Sequence, residues 1–568
     1  MHSQFKITVP SKNKSPERSG NFILDCIRGN MSSPRIESPR GSRQVNEFGV
    51  EPFTSRFLSP EDLRNIASFQ DDIYDKSIST MILQRPAEKL AKFIPSTVAP
   101  NLLTLMSLIA VLHAFHTTYM YKDEWPRFCT SISIVMFTLY HLLDLVDGKH
   151  ARNTKNDSPL GYMFNNACDA LAITFIALTF CLSFDMVDLN AIWFVVQSSH
   201  LLFIWTKLSA FNRGFVSYGL FSGPGEAVLI INTLLGFRAA FGLEWMYEHY
   251  RTFVIEICIP ILRRIPYSVI NDLVSNVDTE QPHITLIFFQ SFYYLLLTIV
   301  TIRCLFIPSE KRYTKYYVLF ALYYRSLPTF AFFYEFNPTT TILDVICDGL
   351  FMAIVTTDLT VARMAKRDIH TWVLIMAMAS LIDKFFNLAM ALFYFSSILY
   401  DTALFLNLPL LTPVINVYID GVFDLCHLGH KNHIARALRY GNRLFVGVMS
   451  DTDVCKYKRE PVMTLEERCA EVEALRCVYK VIPGAPCFGL TQDFLEEHKI
   501  HVVLASPEYD KPDDKYYKVP REIGILKIMP RTDGVSTSEL INRIRQRYKN
   551  DPLPPNSPEA PRPDDAKK

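Results

Sequence analysis

Residues 414–425 read VINVYIDGVFDL and run on into Cys426-His427-Leu428-Gly429-His430. The apolar, partly β-branched run broken by Asp-Gly predicts a buried strand that closes in a turn. HKNHIARALRYG follows with a helical pattern ending at Gly441. RLFVGVMS reads as a second strand, LEERCAEVEALRC as a helix and HVVLAS as a further strand. Short buried strands alternating with helices predict a parallel α/β sheet, a soluble Rossmann-like domain over residues 413–548.

On the N-terminal side the composition changes. Apolar stretches fall near 99–121, 127–147, 166–185, 190–207, 224–246, 284–306, 315–335 and 340–363. Each is close to the roughly 20 residues a helix needs to cross the hydrocarbon. Residues 370–412 are mostly apolar too, and a helical hairpin turning near Ser396–Ser397 would return the chain to its starting side. The expected architecture is therefore a polytopic α-helical membrane domain of about ten spans over 97–412, followed by the soluble domain. Basic clusters at Lys149/Arg152/Lys155, Lys207/Arg213, Lys311/Arg312/Lys315 and Arg363/Lys366/Arg367 follow alternate spans. The positive-inside rule puts those loops, and both termini, in the cytosol, although Arg263–Arg264 in an opposing loop pull the other way. Residues 59–96 read as an amphipathic juxtamembrane segment. Residues 1–58, rich in Ser, Pro and Arg, read as a disordered basic tail, and 549–568 as a polar Pro-rich one. No apolar run follows Met1, so no signal peptide is expected.

Of the 568 residues, 49% are hydrophobic and 20% charged, which excludes disorder of the whole chain. With 58 Lys+Arg against 57 Asp+Glu, the net charge of +1 argues against a nucleic-acid partner. The 12 cysteines form no CxxC pair, so a zinc knuckle is not expected and reduced thiols are.

Asp144-Leu-Val-Asp147-Gly148-Lys-His-Ala151-Arg152 ends the second apolar stretch, with Gly161, Asn165 and Asp169 beyond it. Carboxylates at a membrane-helix end are costly unless they hold ions or line a wet cavity. Asp144 and Asp147 share one helix face, which suits Mg²⁺ or Mn²⁺ bridging a pyrophosphate. Gly148 and Gly161 permit close backbone approach, and Arg152 can pair with phosphate. The pattern D-x2-D-G-x2-A-R-x8-G-x3-D-x3-D resembles the CDP-alcohol phosphotransferases, and this chain departs from it only at Asn165, where the third Asp would stand. The resemblance takes in Ala99-Pro100-Asn101 and Gly223-Pro-Gly-Glu226, covers about 70–410 and looks closest to the eukaryotic ethanolamine/choline branch. It implies metal ligation by Asp144, Asp147 and Asp169, with Asn165 a doubtful ligand. It implies that Asp169 is also the general base on a diacylglycerol hydroxyl. Asn101, Gly148, Ala151, Arg152 and Gly161 would meet the nucleotide. That branch usually reads F-D-H-G-C-D, whereas this chain reads Phe164-Asn165-Asn166-Ala167-Cys168-Asp169. The lost charge should weaken metal binding and leaves open a membrane domain that kept its fold without its chemistry.

In the soluble part, His427 and His430 stand three apart at the start of a helix whose free N–H groups favour phosphate. Two imidazoles on one face can donate to an α-phosphate as charge gathers; taken alone they are also compatible with a metal site or chance surface residues. A second cluster, Arg531-Thr532-Asp533-Gly534-Val-Ser536-Thr537, offers a phosphate clamp and a helix cap, and Lys458 lies in KYKREP between them. Asp420-Gly421-Val-Phe423-Asp424-Leu-Cys-His427-Leu-Gly429-His430 together with this cluster resembles the CTP:phospho-alcohol cytidylyltransferases over about 414–548. The resemblance implies His427, His430, Lys458 and Arg531 as catalytic groups. It implies Gly421, Phe423, Gly429, Arg476, Thr532, Ser536 and Thr537 at the nucleotide, and Asp424, Glu508 and Tyr517 at the phospho-alcohol. Cys487 stands where some relatives place Trp against the cytosine ring. Tyr517-Lys-Val-Pro520-Arg521-Glu-Ile-Gly524 is more similar to the ethanolamine-phosphate pattern. Tyr509, Tyr516 and Tyr517 keep an aromatic choline cage open, or else pack a sheet edge.

Together the resemblances imply a bifunctional enzyme. CTP and phosphoethanolamine, or phosphocholine, would give a CDP-alcohol and pyrophosphate. The CDP-alcohol and diacylglycerol would then give the phospholipid and CMP. They also imply a homodimer in the endoplasmic reticulum membrane.

Overall fold

The fold is described from a computed structural model, in which residues 57–550 are described except 72, 221–222, 254–280, 307–311, 331–340, 381–383, 457 and 531–535. The membrane part begins with α1 (Pro60–Ala67), β1 (Ile73–Asp75) and α2 (Ile78–Phe93). The long helices α3 (Pro100–Tyr121), α4 (Pro126–Asn153), α5 (Pro159–Ser183) and α6 (Leu189–Arg213) follow. Proline at the first position starts α3, α4 and α5, where its missing N–H costs nothing. Ser158 caps α5 by accepting from the Gly161 N–H at 3.2 Å. After β2 (Val216–Tyr218), which pairs in parallel with β1, come α7 (Pro224–Phe241), α8 (Leu243–Phe253), α9 (Gln281–Phe306) and α10 (Arg312–Phe330). Then follow α11 (Ile342–Ala365), α12 (Trp372–Ser380) and α13 (Lys384–Leu406). Helix α11 is almost wholly buried, from Val345 to Ala365 with few exceptions.

Among the described residues, seven helices are long and apolar enough to cross a membrane, or eight if the pair α7–α8, bent by 111°, counts as one span. Ten were expected. The nine-residue α12 is shorter than a bilayer requires. The hairpin turn expected near Ser396–Ser397 is not there. Both serines lie inside α13, with Ser397 buried. Serine without a neighbouring glycine or proline does not oblige a helix to stop.

The soluble part is a five-stranded parallel sheet in the order β5-β4-β3-β6-β7, where β3 is Asn416–Gly421, β4 Arg443–Met449, β5 Lys480–Ala485, β6 Val502–Ala505 and β7 Leu526–Ile528. Its helices are α14 (Leu428–Ala437), α15 (Asp451–Val454), α16 (Leu465–Glu473), α17 (Gln492–Glu497), α18 (Lys518–Glu522) and α19 (Thr537–Asn550). Alternation along the strands sends Val417, Ile419, Leu444 and Val446 to one core and Tyr418, Phe445 and Val503 to another. The chain order reverses between β3 and β6, so the crevice at their C-terminal ends is the expected ligand position. β5 and β7 were not foreseen. Pro483 disguises β5, and a proline is tolerated there because β5 is an edge strand.

The sheet stands on the loop between α4 and α5. The Val414 N–H donates to Asn156 Oδ1 (2.6 Å), His501 Nε2 meets the Thr154 carbonyl (2.8 Å), and Lys499 pairs with Asp157 (3.0 Å). The soluble domain therefore lies on the side of the membrane part where the acidic motif ends. It touches that side with the N-terminal ends of β3 and β6, and its crevice opens at their other ends.

Candidate active sites

A cavity of about 770 Å³ fills the crevice at the end of β3. Its wall includes Asp420, Gly421, Phe423, Asp424, His427, Gly429, His430, Lys458, Ser536 and Thr537, all near the ends of β3, α14 and α19. His427 caps α14. Its Nδ1 accepts from the Gly429 N–H (3.1 Å), which leaves the proton on Nε2, 3.3 Å from Thr537 Oγ. The His430 ring stacks on it at 3.9 Å and 19°. Burial lowers the pKa of His427, and burial with the adjacent His427 pushes His430 down to about 4. Both rings are therefore neutral near pH 7, and each has one N–H to donate. Phe423 holds the left-handed conformation at φ 54°, and its ring packs edge-on against His430 at 5.4 Å.

Several expected residues take other places. Asp424 accepts from the Val462 and Met463 N–H groups (3.1 and 3.0 Å), so it fastens the Lys458 loop over the cavity. Arg476 is exposed after α16, and Glu508 is exposed on the turn after β6; neither lines the cavity, which takes Ser506 and Tyr509 instead. Arg531 and Thr532 lie outside the described residues. Tyr517 does reach the site: its hydroxyl donates to Asp420 Oδ1 (2.7 Å), and that of Tyr516 donates to Oδ2 (2.8 Å). Burial pushes the Asp420 carboxyl up to about 6 against the lowering effect of both hydroxyls.

Arg468 was not foreseen. It is fully buried and donates to the carbonyls of Val422 (2.6 Å), Met449 (2.9 Å) and Met463 (3.2 Å), besides pairing with Asp451. It thereby joins the ends of β3 and β4 to the loop over the cavity. Arg468→Ala strands these carbonyls and is expected to cost about 1–3 kcal/mol, the range for leaving a buried acceptor unsatisfied, since the paired Asp451 is partly exposed. A lower urea midpoint for loss of CTP binding by the full chain checks this. In a helix, Arg468 reads as one charge among LEERCAEVE, with nothing to mark it as buried.

The second constellation lies at the C-terminal end of α4 and the start of α5. Asn165 Nδ2 donates to Asp144 Oδ1 (2.8 Å) and Asp147 Oδ2 (3.2 Å), and Thr104 on α3 donates to Asp147 as well. Tyr140 donates to Asp169 Oδ1 (2.9 Å), leaving Oδ2 free of that bond. Arg152 is exposed, with its guanidinium near Gly148. Asn101 donates to the Leu410 carbonyl (2.8 Å) and packs against Gly161, so the amide is tied to the interdomain linker. Ala151 is half-buried on the same helical turn.

Asn165 also decides how a metal ion fits. Its amide nitrogen touches both carboxylates, which marks the point on which Asp144, Asp147 and Asn165 converge. Turned over, the amide presents its oxygen there, and three oxygen ligands suit one hard divalent cation. Among the described residues no group of three or more Asp, Glu, His or Cys is placed to hold a metal.

Comparison with known proteins finds matches for both parts of the chain. Residues 97–235 match the family model CDP-alcohol phosphatidyltransferase, and residues 418–543 match the model Cytidylyltransferase-like. Choline-phosphate cytidylyltransferase of Saccharomyces cerevisiae is 40% identical over 146 residues, 25% of this chain and 34% of its own length. Ethanolamine-phosphate cytidylyltransferase of Dictyostelium discoideum is 37% identical over 134 residues, 23% of this chain and 36% of its own. An uncharacterized CDP-alcohol phosphatidyltransferase class-I family protein of the same organism is 27% identical over 202 residues, 34% of this chain and 48% of its own. The chain thus matches between a third and a half of the length of these relatives. It joins a CDP-alcohol phosphatidyltransferase domain to a cytidylyltransferase-like domain.

Proposed function

We propose that the chain is a bifunctional enzyme of phospholipid synthesis. The soluble domain joins CTP to phosphoethanolamine, and the membrane domain transfers the phosphoethanolamine group from CDP-ethanolamine to diacylglycerol. The observation that carries the first step is the stacked His427–His430 pair at the N-terminus of α14, facing the cavity. A phosphate oxygen of phosphoethanolamine attacks the α-phosphorus of CTP, and the bond to pyrophosphate breaks. His427 Nε2–H, the α14 N–H groups and Lys458 meet the charge that gathers on the α-phosphate oxygens. Arg531, Thr532 and Ser536 complete the phosphate contacts in this reading.

Asp420 favours ethanolamine over choline. Its carboxylate can accept from a primary ammonium, whereas a quaternary ammonium has no proton to give and needs aromatic faces. Tyr516 and Tyr517 meet edge to face (4.5 Å, 83°), as do Tyr509 and Tyr517 (5.4 Å, 72°), but the hydroxyls of Tyr516 and Tyr517 are turned to Asp420. Asp420→Asn is expected to raise KM for phosphoethanolamine about 10–100-fold, the worth of a charged hydrogen bond, with KM for CTP little changed. In the wild type the same KM should rise as the pH falls through about 6, because the carboxylate that holds the ammonium becomes protonated. A KM for phosphoethanolamine that stays flat from pH 5 to 8 would count against this assignment.

For the second step, Asp144, Asp147 and the Asn165 amide would hold Mg²⁺ or Mn²⁺. When bound, the cation supplies neutralisation of the pyrophosphate charge. Arg152 meets phosphate, Gly148 and Gly161 admit the nucleotide, and Asp169 takes the proton of the diacylglycerol hydroxyl. That oxygen attacks the phosphorus next to the alcohol, and CMP leaves. The two sites are served from one side of the membrane, which we take as the cytosolic face of the endoplasmic reticulum, and the chain works as a homodimer. Since the cavity opens at the end of the sheet away from the membrane part, fusion helps by keeping the shared intermediate concentrated.

The amide bridge between Asp144 and Asp147 favours a second reading, a cytidylyltransferase held by a silent membrane domain. Supplying CDP-ethanolamine and diacylglycerol directly separates the two. Phospholipid from the wild type supports the two-step enzyme; none from the wild type but some from Asn165→Asp selects the silent domain.

A further inference from the structure

The reading of the membrane site as a CDP-alcohol site leaves a charge unexplained. Lys207, near the C-terminal end of α6, is buried, and its ammonium donates to Asn166 Oδ1, the residue next to Asn165. Phe203 covers it at 4.7 Å. It lies within electrostatic reach of both Asp144 and Asp169. Among the described residues no ion pair within contact distance claims it, and Arg363, the cation within its electrostatic reach, is matched by Asp71 at 2.7 Å. An ammonium buried in a membrane helix next to a set of carboxylates is there for them. Asp144, Asp147 and Asp169 carry three negative charges. Lys207 leaves two before any substrate charge is added. An acid at position 165 and no charge at position 207 would leave four, and the difference equals the charge of one divalent cation.

We propose that the Lys207 ammonium stands in for a second metal ion, so that this site handles the pyrophosphate of a CDP-alcohol with a single divalent cation. Asn165 and Lys207 then form one compensated exchange: an acid lost on α5 is offset by a base on α6. This rests on the nucleotide site proposed above but does not need turnover to be tested.

The test is a Mn²⁺ titration of the full chain in detergent, read by the resonance of free Mn²⁺ in the presence of CDP-ethanolamine and without CTP. Sites belonging to the membrane domain are those lost in Asp144→Asn. One lost Mn²⁺ is expected for the wild type and two for Asn165→Asp/Lys207→Met. Lys207→Met alone should bind Mn²⁺ about tenfold more tightly, as metal affinity follows the charge of the site. The same variant should bind CDP-ethanolamine more weakly, and Lys207→Arg should restore it. Two Mn²⁺ in the wild type, or equal Mn²⁺ affinity in wild type and Lys207→Met, would overturn the proposal. A purely structural Lys207 would not shift metal and nucleotide affinity in opposite directions. Should the wild type bind one Mn²⁺ as expected yet form no phospholipid, the exchange stands and the transferase reading falls.

Discussion

His427→Ala is expected to lower the rate of CDP-ethanolamine formation by about 10²–10³-fold, the usual loss when one donor to a transition-state charge is removed. The Gly429 N–H bond fixes the His427 tautomer, so its Nε2–H is aimed before substrate arrives. Burial keeps the ring neutral, and the bond from its N–H strengthens as negative charge develops on the phosphate. The loss should therefore fall on kcat more than on KM for CTP. Pyrophosphate release from CTP and phosphoethanolamine measures it. His427→Gln should recover part of the rate, because an amide can donate from nearly the same place. A variant losing less than tenfold would remove His427 from the reaction. Phospholipid formation from added CDP-ethanolamine should be unchanged, which guards against misfolding.

Asp169→Asn should show the opposite pattern. Phospholipid formation is expected to fall by about 10²–10⁴-fold, the contribution of a positioned general base, while CDP-ethanolamine is still made. Tyr140 donates to Oδ1 and fixes the carboxylate, so Oδ2 is the oxygen left to take the hydroxyl proton. An amide keeps the shape and the bond to Tyr140 but accepts no proton. Tyr140→Phe should cost much less, since it loosens the base without removing it. Equal phospholipid yields from wild type and Asp169→Asn, with diacylglycerol and CDP-ethanolamine in excess, would mean that another group takes the proton. The two variants together form an internal control, because each should silence one step of the same chain and spare the other.

Much of this was legible along the chain. The strand and turn at 414–425 and the helix after His427 stand where the pattern put them, because buried parallel strands are continuous apolar runs and need no partner to be recognised. The acidic motif was legible because its spacing alone places Asp144 and Asp147 on one helix face. β5 and β7 were hidden. A proline in one and the shortness of the other give no periodic signal, and only pairing with β4 and β6 makes them strands. Glu508 and Arg476 were assigned by motif position, yet the backbone points them to solvent, since spacing along a chain says little about direction after a turn.

By itself the sequence determined the division into an apolar helical part and an α/β part, because hydrophobic period is a local property. Only the tertiary structure decided which charges meet. Arg468 became the tie between two strand ends, Asp420 the acceptor of two tyrosine hydroxyls, and Lys207 the neighbour of carboxylates on two other helices. Burial makes a charge costly unless another group answers it, and that answering group comes from a distant part of the chain.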